Sequence, residues 1–168
     1  EEDFVEHLFI ANTHNYMLFF TDQGKCYWLK VYDIPQGGRA ARGRAIVNLI
    51  GCDPGEKIEA FVSVKEFDDN HYIAMATRNG IVKKTVLSAY GKPRKGGIYA
   101  IEIRDGDKLI EARVTNGEHD ILLGTSEGKS IRFSENDIRA SGRKTMGVKG
   151  ITLGSKDDHA VGMLVVSR

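Results

Sequence analysis

The sequence contains few of the residues that stabilise a small protein through covalent cross-links or rigid loops. Its 168 residues include two cysteines, three prolines and one tryptophan. Cys26 and Cys52 form neither a CxxC pair nor a disulfide framework, so we expect reduced, buried thiols. No apolar run approaches the roughly 18 residues of a membrane-spanning helix, and no stretch of ten residues has convincing helical periodicity. These absences favour a soluble, cytoplasmic, all-β protein.

Glycine, in contrast, is abundant, with 19 residues. Three glycines share one pattern, in which an apolar run, a threonine, two polar residues and the glycine precede a second run. The segments are MLFFTDQGKCYWLKV, YIAMATRNGIVKKTV and ILLGTSEGKSIRF, with turn glycines Gly24, Gly80 and Gly128. Each segment predicts a β-hairpin. Asn79-Gly80 predicts a tight turn, because both residues tolerate positive φ.

Two further elements follow each hairpin. The first is a glycine that enters an apolar segment, 17 to 19 residues beyond the turn glycine, at Gly43, Gly97 and Gly147. The second is an acidic turn followed by a strand, in DPGEKIEAFVSV, RDGDKLIEARVT and KDDHAVGMLVV. The opening EEDFVEHLFIA matches the second element. We therefore predict repeats at about residues 15–70, 71–120 and 121–168, with residues 1–14 as the final strand of a preceding unit.

This repeat predicts the fold class. About 50 residues and four strands per unit are typical of a propeller blade or a related ring. Propellers usually have four to eight blades, so three blades predict an open arc, and we expect the chain to be part of a longer protein.

The formal net charge is only +1, but the basic residues are unevenly distributed. Three windows at equivalent places in the repeats contain no acidic residue: Gln36–Asn48, Lys83–Gly97 and Arg139–Gly150. They hold half of the 24 lysines and arginines, namely Arg39, Arg42, Arg44, Lys83, Lys84, Lys92, Arg94, Lys95, Arg139, Arg143, Lys144 and Lys149. Because a repeat architecture places equivalent loops on one edge, we expect a positive stripe, which is typical of nucleic-acid binding.

Other kinds of site are disfavoured by spacing. ASGRKTMGVKG has the glycines and lysines of a phosphate loop, but no hydroxyl residue follows Lys149, and a strand rather than a helix is predicted next. None of the five histidines has metal-ligand spacing. The acids of FDDNHY and SKDDHA are predicted to be turn residues, namely Asp68, Asp69, Asp157 and Asp158. No serine lies in a nucleophile elbow. We predict no catalytic residue, cofactor or metal in this chain.

Three segments carry a family resemblance. FFTDQGKCYWLKVYDIP, RGRAIVNLI and TMGVKGITL resemble the C-terminal domain of the bacterial DNA gyrase A subunit, and the resemblance covers essentially the whole chain. The segment from Tyr27 to Pro35 favours gyrase over topoisomerase IV. The resemblance implies a six-bladed β-pinwheel, a propeller-like ring whose blades exchange strands. It also implies a basic rim that wraps duplex DNA, so that ATP-driven strand passage introduces negative supercoils.

The resemblance also implies partners and limits. The partners are double-stranded DNA, the remainder of the A subunit, and the B subunit, in an A2B2 enzyme of the bacterial cytoplasm and nucleoid, with no membrane partner. The catalytic tyrosine lies elsewhere in that enzyme, as do the ATP and magnesium sites. The family's box, Gln-Arg-Arg-Gly-Gly-Lys-Gly, is absent, since QGGRAARG and SGRKTMGVKG do not match it. We therefore expect partial DNA binding at most.

Two functional hypotheses remain open. The first is a non-catalytic DNA-wrapping module that neutralises phosphates without reading bases. Aromatic residues are sparse in the basic windows, with only Tyr90 and Tyr99, so a duplex is favoured over a stacked single strand. The second is a protein-interaction propeller whose basic loops bind an acidic partner. A propeller hydrolase is disfavoured because the acids are spread along the chain. Lys83 and Lys84 lie on or just after a strand, so we expect at least one to point away from a ligand.

Overall fold

The structure is a computed structural model that describes residues 15–30 and 52–167, and these residues form eleven β-strands in three antiparallel sheets. The strands are β1 Tyr16–Thr21, β2 Lys25–Lys30, β3 Ile58–Val64, β4 Tyr72–Thr77, β5 Ile81–Val86, β6 Ile98–Tyr99, β7 Leu109–Thr115, β8 His119–Thr125, β9 Ser130–Ser134, β10 Val148–Lys149 and β11 Ala160–Ser167. Two short 3-10 turns lie at Leu87–Tyr90 and Glu135–Asp137. The predicted all-β class is confirmed. The strand proposed in residues 1–14 lies outside the described residues.

The sheets do not each contain one repeat. The first sheet has the order β3-β1-β2-β6, the second β10-β5-β4-β7, and the third, within the described residues, β11-β8-β9. The three predicted hairpins are β1-β2, β4-β5 and β8-β9. The short strands β6 and β10, however, pair with the hairpin of the preceding repeat. Exchange of strands between blades, which the resemblance implied, is therefore present.

All three hairpins turn in the same way. Gly24, Gly80 and Gly128 have φ of +85°, +84° and +87°, and their N–H groups donate to the carbonyls of the threonines three residues earlier at 3.0, 3.0 and 3.1 Å. The next N–H in each hairpin donates to the Oγ1 of the same threonine. Asn79 tolerates positive φ but does not adopt it, since no described non-glycine residue has positive φ. The glycine alone makes the reversal, because it has no Cβ to clash.

Each exchanged strand is fastened to the turn of the preceding hairpin. Beyond β6, the N–H groups of Ala100 and Ile101 donate to the carbonyl of Gly24 at 2.8 and 3.3 Å. Beyond β10, Gly150 and Ile151 donate to the carbonyl of Gly80 at the same two distances. The repetition shows that the repeat encodes this docking as well as the hairpin.

Apolar layers fill the spaces between the sheets. Strand alternation directs Leu18 and Phe20 of the first sheet towards Ile73 and Met75 of the second, and Trp28 packs against this cluster. Ala74, Ala76 and Val82, on the other face of the second sheet, pack against residues of β8 and β11. Trp28 therefore packs between the first and second sheets. Phe19 and Tyr27 are buried on the opposite face of the first sheet, and Leu29 packs against them.

The acidic turns use their carboxylates to hold backbone groups. Asp68 accepts the N–H groups of Asn70 and His71 at 2.9 Å. Asp158 accepts those of Gly154 and Glu127 at 2.8 and 2.9 Å, and the Ser126 hydroxyl at 2.9 Å. Burial opposes ionisation of Asp158, but these hydrogen bonds outweigh it and hold the pKa of that carboxyl well below its usual range. The structural role predicted for Asp68 and Asp158 is confirmed. In the two described stretches, no helix has the length and apolar character needed to cross a bilayer.

The turn glycines offer a matched pair of substitutions. A Cβ on Gly24 would lie 2.6 Å from the carbonyl oxygen of Ile101, whereas a Cβ on Gly128 would meet nothing within 4 Å. Gly128→Ala should therefore lower the free energy of unfolding by about 1–2 kcal/mol, from the positive φ alone. Gly24→Ala should cost about 1–3 kcal/mol more, because it displaces the docked strand. Urea denaturation of both variants measures the difference, and equal losses would contradict the docking.

The pKa of Asp158 predicts a pH dependence of stability. Its folded pKa lies below the unfolded value of about 3.9, so the carboxylate stabilises the fold above that pH and the contribution is lost as pH falls towards the folded pKa. Asp158→Asn should therefore lower the melting temperature at pH 7, and the gap to the parent should close below about pH 4. The exposed Asp157→Asn is the control, and its gap should be small throughout. A gap for Asp158→Asn that stays constant down to pH 3 would contradict the assignment.

Candidate nucleic-acid interface

The first described basic loop joins the 3-10 turn at Leu87–Tyr90 to β6. Pro93 and the glycine pair Gly96-Gly97 make it a loop, since both glycines have positive φ and the N–H of Gly97 donates to the carbonyl of Arg94 at 3.0 Å. A Cβ on Gly97 would lie 2.7 Å from the Tyr27 ring, so the backbone needs a glycine to reach the first sheet. The basic side chains of this loop are all exposed, namely Lys92, Arg94 and Lys95.

The second basic loop, residues 138–147, lies against the first two sheets. The N–H of Ser141 donates to the carbonyl of Lys84 at 2.8 Å, and the carbonyl of Thr145 accepts the N–H of Glu102 at 2.9 Å. Gly147, at φ +87°, turns the chain into β10, and a Cβ there would lie 2.5 Å from the carbonyl oxygen of Val82. Three basic side chains from this loop and β10 are exposed: Arg139, Lys144 and Lys149.

The two loops are in contact with the same strand end. The Arg143 guanidinium donates from Nη1 to the carbonyl of Tyr99, the last residue of β6, at 2.8 Å. The strands β6 and β10 are edge strands of their sheets, whereas β3, β7 and β11 occupy the opposite edges and lie beside one another. The two loops therefore share the outer edge of the protein. We call their exposed cations the basic rim: Lys92, Arg94, Lys95, Arg139, Lys144 and Lys149.

The positive charge of the basic rim favours binding of a polyanion. Neither loop contains an acidic residue, and the exposed acids nearest to them in the sequence are Asp137, which precedes the second loop, and Glu102, which lies beyond β6. Arg143 is half-buried and uses one nitrogen to hold β6. It contributes charge to the rim but is also a structural link. Arg39, Arg42 and Arg44, the predicted cations of the first window, lie outside the described residues.

Lys83 and Lys84 do not belong to this surface, which corrects their inclusion among the DNA-contacting residues. They are 1% and 4% exposed, and they point to opposite faces of β5. Lys83 donates from Nζ to the carbonyls of Ala100 and of Arg143, the latter at 2.6 Å. Burial, together with the charge of Arg143, lowers the pKa of Lys83 to about 7. Both lysines hold segments of the fold together.

Lys84 is paired with a buried acid that sequence reasoning missed. Its Nζ lies 3.4 Å from Oε1 of Glu135 and 4.5 Å from the centre of the Tyr72 ring. Glu135 is fully buried and also accepts the Thr115 hydroxyl and the N–H of His119, each at 2.8 Å. The network joins the second sheet to the third. The partners lie 51 residues apart, so no local pattern reveals them.

The ASGRKTMGVKG segment runs into the strand β10, with no helix N-terminus to bind a nucleotide phosphate. Across residues 15–30 and 52–167, no three histidine, cysteine, aspartate or glutamate side chains converge on a point that could bind a metal.

Sequence comparison identifies the family. The description that matches is "DNA gyrase C-terminal domain, beta-propeller", at residues 15–65, 71–116 and 119–167. The chain belongs to this family. Each match contains one hairpin of this gyrase-type domain, so the three sheets correspond to three blades of the propeller. The family that the sequence resemblance indicated is confirmed.

The relatives fix how much of a larger protein the domain represents. The DNA gyrase A subunit of Clostridium acetobutylicum is 52% identical over 150 residues, which is 89% of this chain and 18% of that protein. The same protein from Escherichia coli K12 is 46% identical over 165 residues, which is 98% of this chain and 19% of that protein. The chain spans about a fifth of the length of these relatives.

Solved structures agree with the fold. The C-terminal domain of DNA topoisomerase IV superposes with a TM-score of 0.80 at 28% identity, over 94% of this chain and 49% of that one. The DNA gyrase A C-terminal domain gives a TM-score of 0.75 at 25% identity, over 93% and 49%. The gyrase-type domain described here therefore matches about half of each solved chain.

The buried Lys84–Glu135 pair predicts that a substitution at Lys84 strongly lowers stability, although the sequence suggests an exposed lysine at this position. Lys84→Met leaves the Glu135 carboxylate without its cation in the interior, so the free energy of unfolding should fall by about 3–5 kcal/mol. Adding Glu135→Gln removes the orphaned charge and should recover part of the loss. Chemical denaturation of the two single variants and the double variant measures this coupling. Strictly additive losses would contradict the pairing.

Proposed function

We propose that this chain is a non-catalytic DNA-wrapping module that binds the backbone of duplex DNA along the basic rim. One observation carries the proposal: six exposed cations, with no acid among them, lie on two equivalent loops and on β10, at the outer edge of consecutive sheets. Phosphates attract such a surface irrespective of sequence, and releasing their counterions supplies the binding free energy. The rim offers no aromatic platform for stacked bases beyond Tyr99, so backbone contact is favoured over base readout.

The scaffold suits a curved ligand. The exchanged strands β6 and β10 are each paired with the hairpin of the preceding repeat. Hydrogen bonds to that hairpin therefore hold the basic loop that leads into each strand. Smooth bending of 20–30 base pairs by 40–90° costs on the order of 1–6 kcal/mol, which several phosphate contacts can offset. Binding that neutralises six phosphates should have a log–log salt slope of about −5.

The relatives suggest where this activity is used. They are named as the A subunit of DNA gyrase, so we place the module in a type II topoisomerase of the gyrase kind rather than in topoisomerase IV. There, together with the B subunit, in an A2B2 complex, it would bend DNA so that ATP-dependent strand passage introduces negative supercoils. Cleavage chemistry, nucleotide and magnesium belong in this proposal to other parts of that enzyme, including the rest of the A subunit, in the cytoplasm and at the nucleoid.

Charge reversal tests the rim. The triple variant Arg94→Glu, Lys95→Glu and Lys144→Glu should weaken binding to random-sequence duplexes by at least a hundredfold at about 0.1 M salt and flatten the salt slope by about 3, because three phosphate contacts are lost. Fluorescence anisotropy over a range of salt concentrations measures both quantities.

A matched control separates the rim from net charge. Lys57, Lys108 and Lys156 are exposed and lie in the turns that precede β3, β7 and β11. Changing all three to glutamate alters the net charge by the same amount, but the salt slope should keep its parent value. Equal weakening by the two triple variants would sink the rim as the binding surface. An absence of duplex binding by the parent at low salt, with binding to an acidic protein instead, would favour the protein-interaction hypothesis.

A further inference from the structure

We propose that Lys83 is a positioning residue for DNA binding: its buried ammonium ties the second basic loop to the exchanged strand of the preceding blade and so sets the register of the rim. The inference rests on the proposed function of the rim. It assigns a role to a residue that contacts no DNA itself. Three observations support this role: the groups that the ammonium joins, its burial, and the different side chains at the equivalent positions of the other hairpins.

The ammonium joins three segments that are remote in the chain. Lys83 lies in β5 of the second sheet, and its Nζ donates to the carbonyl of Ala100, just beyond β6, and to that of Arg143 in the second basic loop. The N–H of Ala100 is meanwhile bound to the carbonyl of Gly24. One side chain therefore connects the first hairpin turn, the second sheet and the loop that presents Lys144.

The remaining contacts of the loop show why this link matters. Arg143 holds the carbonyl of Tyr99, Thr145 accepts the N–H of Glu102, and Ser141 donates to the carbonyl of Lys84. These contacts hold the loop at residues 141, 143 and 145, whereas Lys83 binds the backbone carbonyl of Arg143 from the interior. Without the ammonium, the buried carbonyl of Ala100 and the partly buried carbonyl of Arg143 lose this donor, which is costly, and the loop can relax outward with Lys144.

The sister positions in the other hairpins show that the repeat does not require a lysine here. Counted from the turn glycines, the equivalent residues are Tyr27 in β2 and Ile131 in β9. Tyr27 fills its site with a ring and bonds Glu56. Ile131 is exposed, so the buried counterpart is Tyr27, and burial of an ammonium in place of that ring opposes stability unless its hydrogen bonds are used. A role in holding the second basic loop explains why a lysine occupies position 83.

The charge of Lys83 also couples the loop to pH. The side chain faces Met75 of β4, Ala112 of β7 lies beyond it, and among the described residues the charge of Arg143 acts on the ammonium. Burial raises the pKa of Cys26 and of Tyr90 near Arg143, so both stay neutral below pH 9. As pH rises through about 7, Lys83 loses a proton, an N–H donor and a positive charge behind the rim. Parent DNA affinity should therefore fall between pH 6.5 and 8.5 more steeply than that of a variant without this amine.

The test uses two substitutions at Lys83 and one elsewhere in the core. Lys83→Met removes the donors at similar volume, and Lys83→Arg keeps charge and donors without titrating. Ile73→Val, on the neighbouring β4, is the control for a mild loss of core stability. Duplex affinity is measured against salt and between pH 6.5 and 8.5, and hydrogen exchange of the Glu102 amide reports the anchor of the loop.

For Lys83→Met we expect loss of about one phosphate contact, which lowers affinity about eightfold at 0.1 M salt and flattens the salt slope by about 0.9. Its Glu102 amide should exchange faster, and its pH profile should be flatter than that of the parent. Ile73→Val should keep the parent affinity, slope and profile. Lys83→Arg should keep the DNA affinity of the parent and lose its pH dependence. If Lys83→Met does not fold, the comparison of Lys83→Arg with the parent tests the inference.

Failure of the inference is distinguishable from failure of the proposed function. If the parent binds DNA and the rim triple variant does not, but Lys83→Met matches Ile73→Val in affinity, slope and exchange, Lys83 has no positioning role. A pH dependence in Lys83→Arg equal to that of the parent would also overturn the inference. If the parent shows no salt-dependent duplex binding, the proposed function fails first.

Discussion

The structure depends on one repeated interaction, the docking of an exchanged strand on the turn glycine of the preceding hairpin. The carbonyls of Gly24 and Gly80 each accept two N–H groups from the chain that leaves β6 or β10. A Cβ at either glycine would collide with that chain. Because the basic loops lead directly into β6 and β10, the same docking that assembles the sheets also places the loops at the outer edge. Fold and candidate site therefore have a common cause.

Lysine has two different roles in this fold. On the basic rim the side chains are exposed and have no acidic neighbours in their loops, which is the arrangement that attracts phosphate. Within β5, Lys83 and Lys84 are buried and joined to carbonyls and to Glu135. The two buried lysines connect neighbouring segments and sheets, whereas the exposed cations of the rim provide the positive electrostatic field. A net charge of +1 therefore conceals both functions.

The hairpins could be predicted from the sequence because their signals are local: a threonine, a glycine and two apolar runs within fifteen residues. The basic windows were equally visible. The strand exchange could be expected from the family resemblance but not from the residues alone, since β6 and its partner β2 lie about 70 residues apart and two-residue strands carry little pattern. Lys83 and Lys84 lie in a basic window, and their burial could not be predicted because it depends on sheets and loops that are remote in the sequence and pack against both faces of β5. Glu135, in a polar segment, gave no sign that it is fully buried.

The central claim is that one duplex crosses consecutive sheets along the rim. It is tested most directly by cleavage from a tethered iron chelate, with Cys52 replaced by serine and single cysteines placed at Lys95, at Lys144 or, as a control, at Lys156. On a duplex just long enough for one bound protein, the account predicts cuts from residues 95 and 144 at neighbouring sites along the same DNA, and none from residue 156. Cuts only from residue 156, or from one rim position alone, would contradict it.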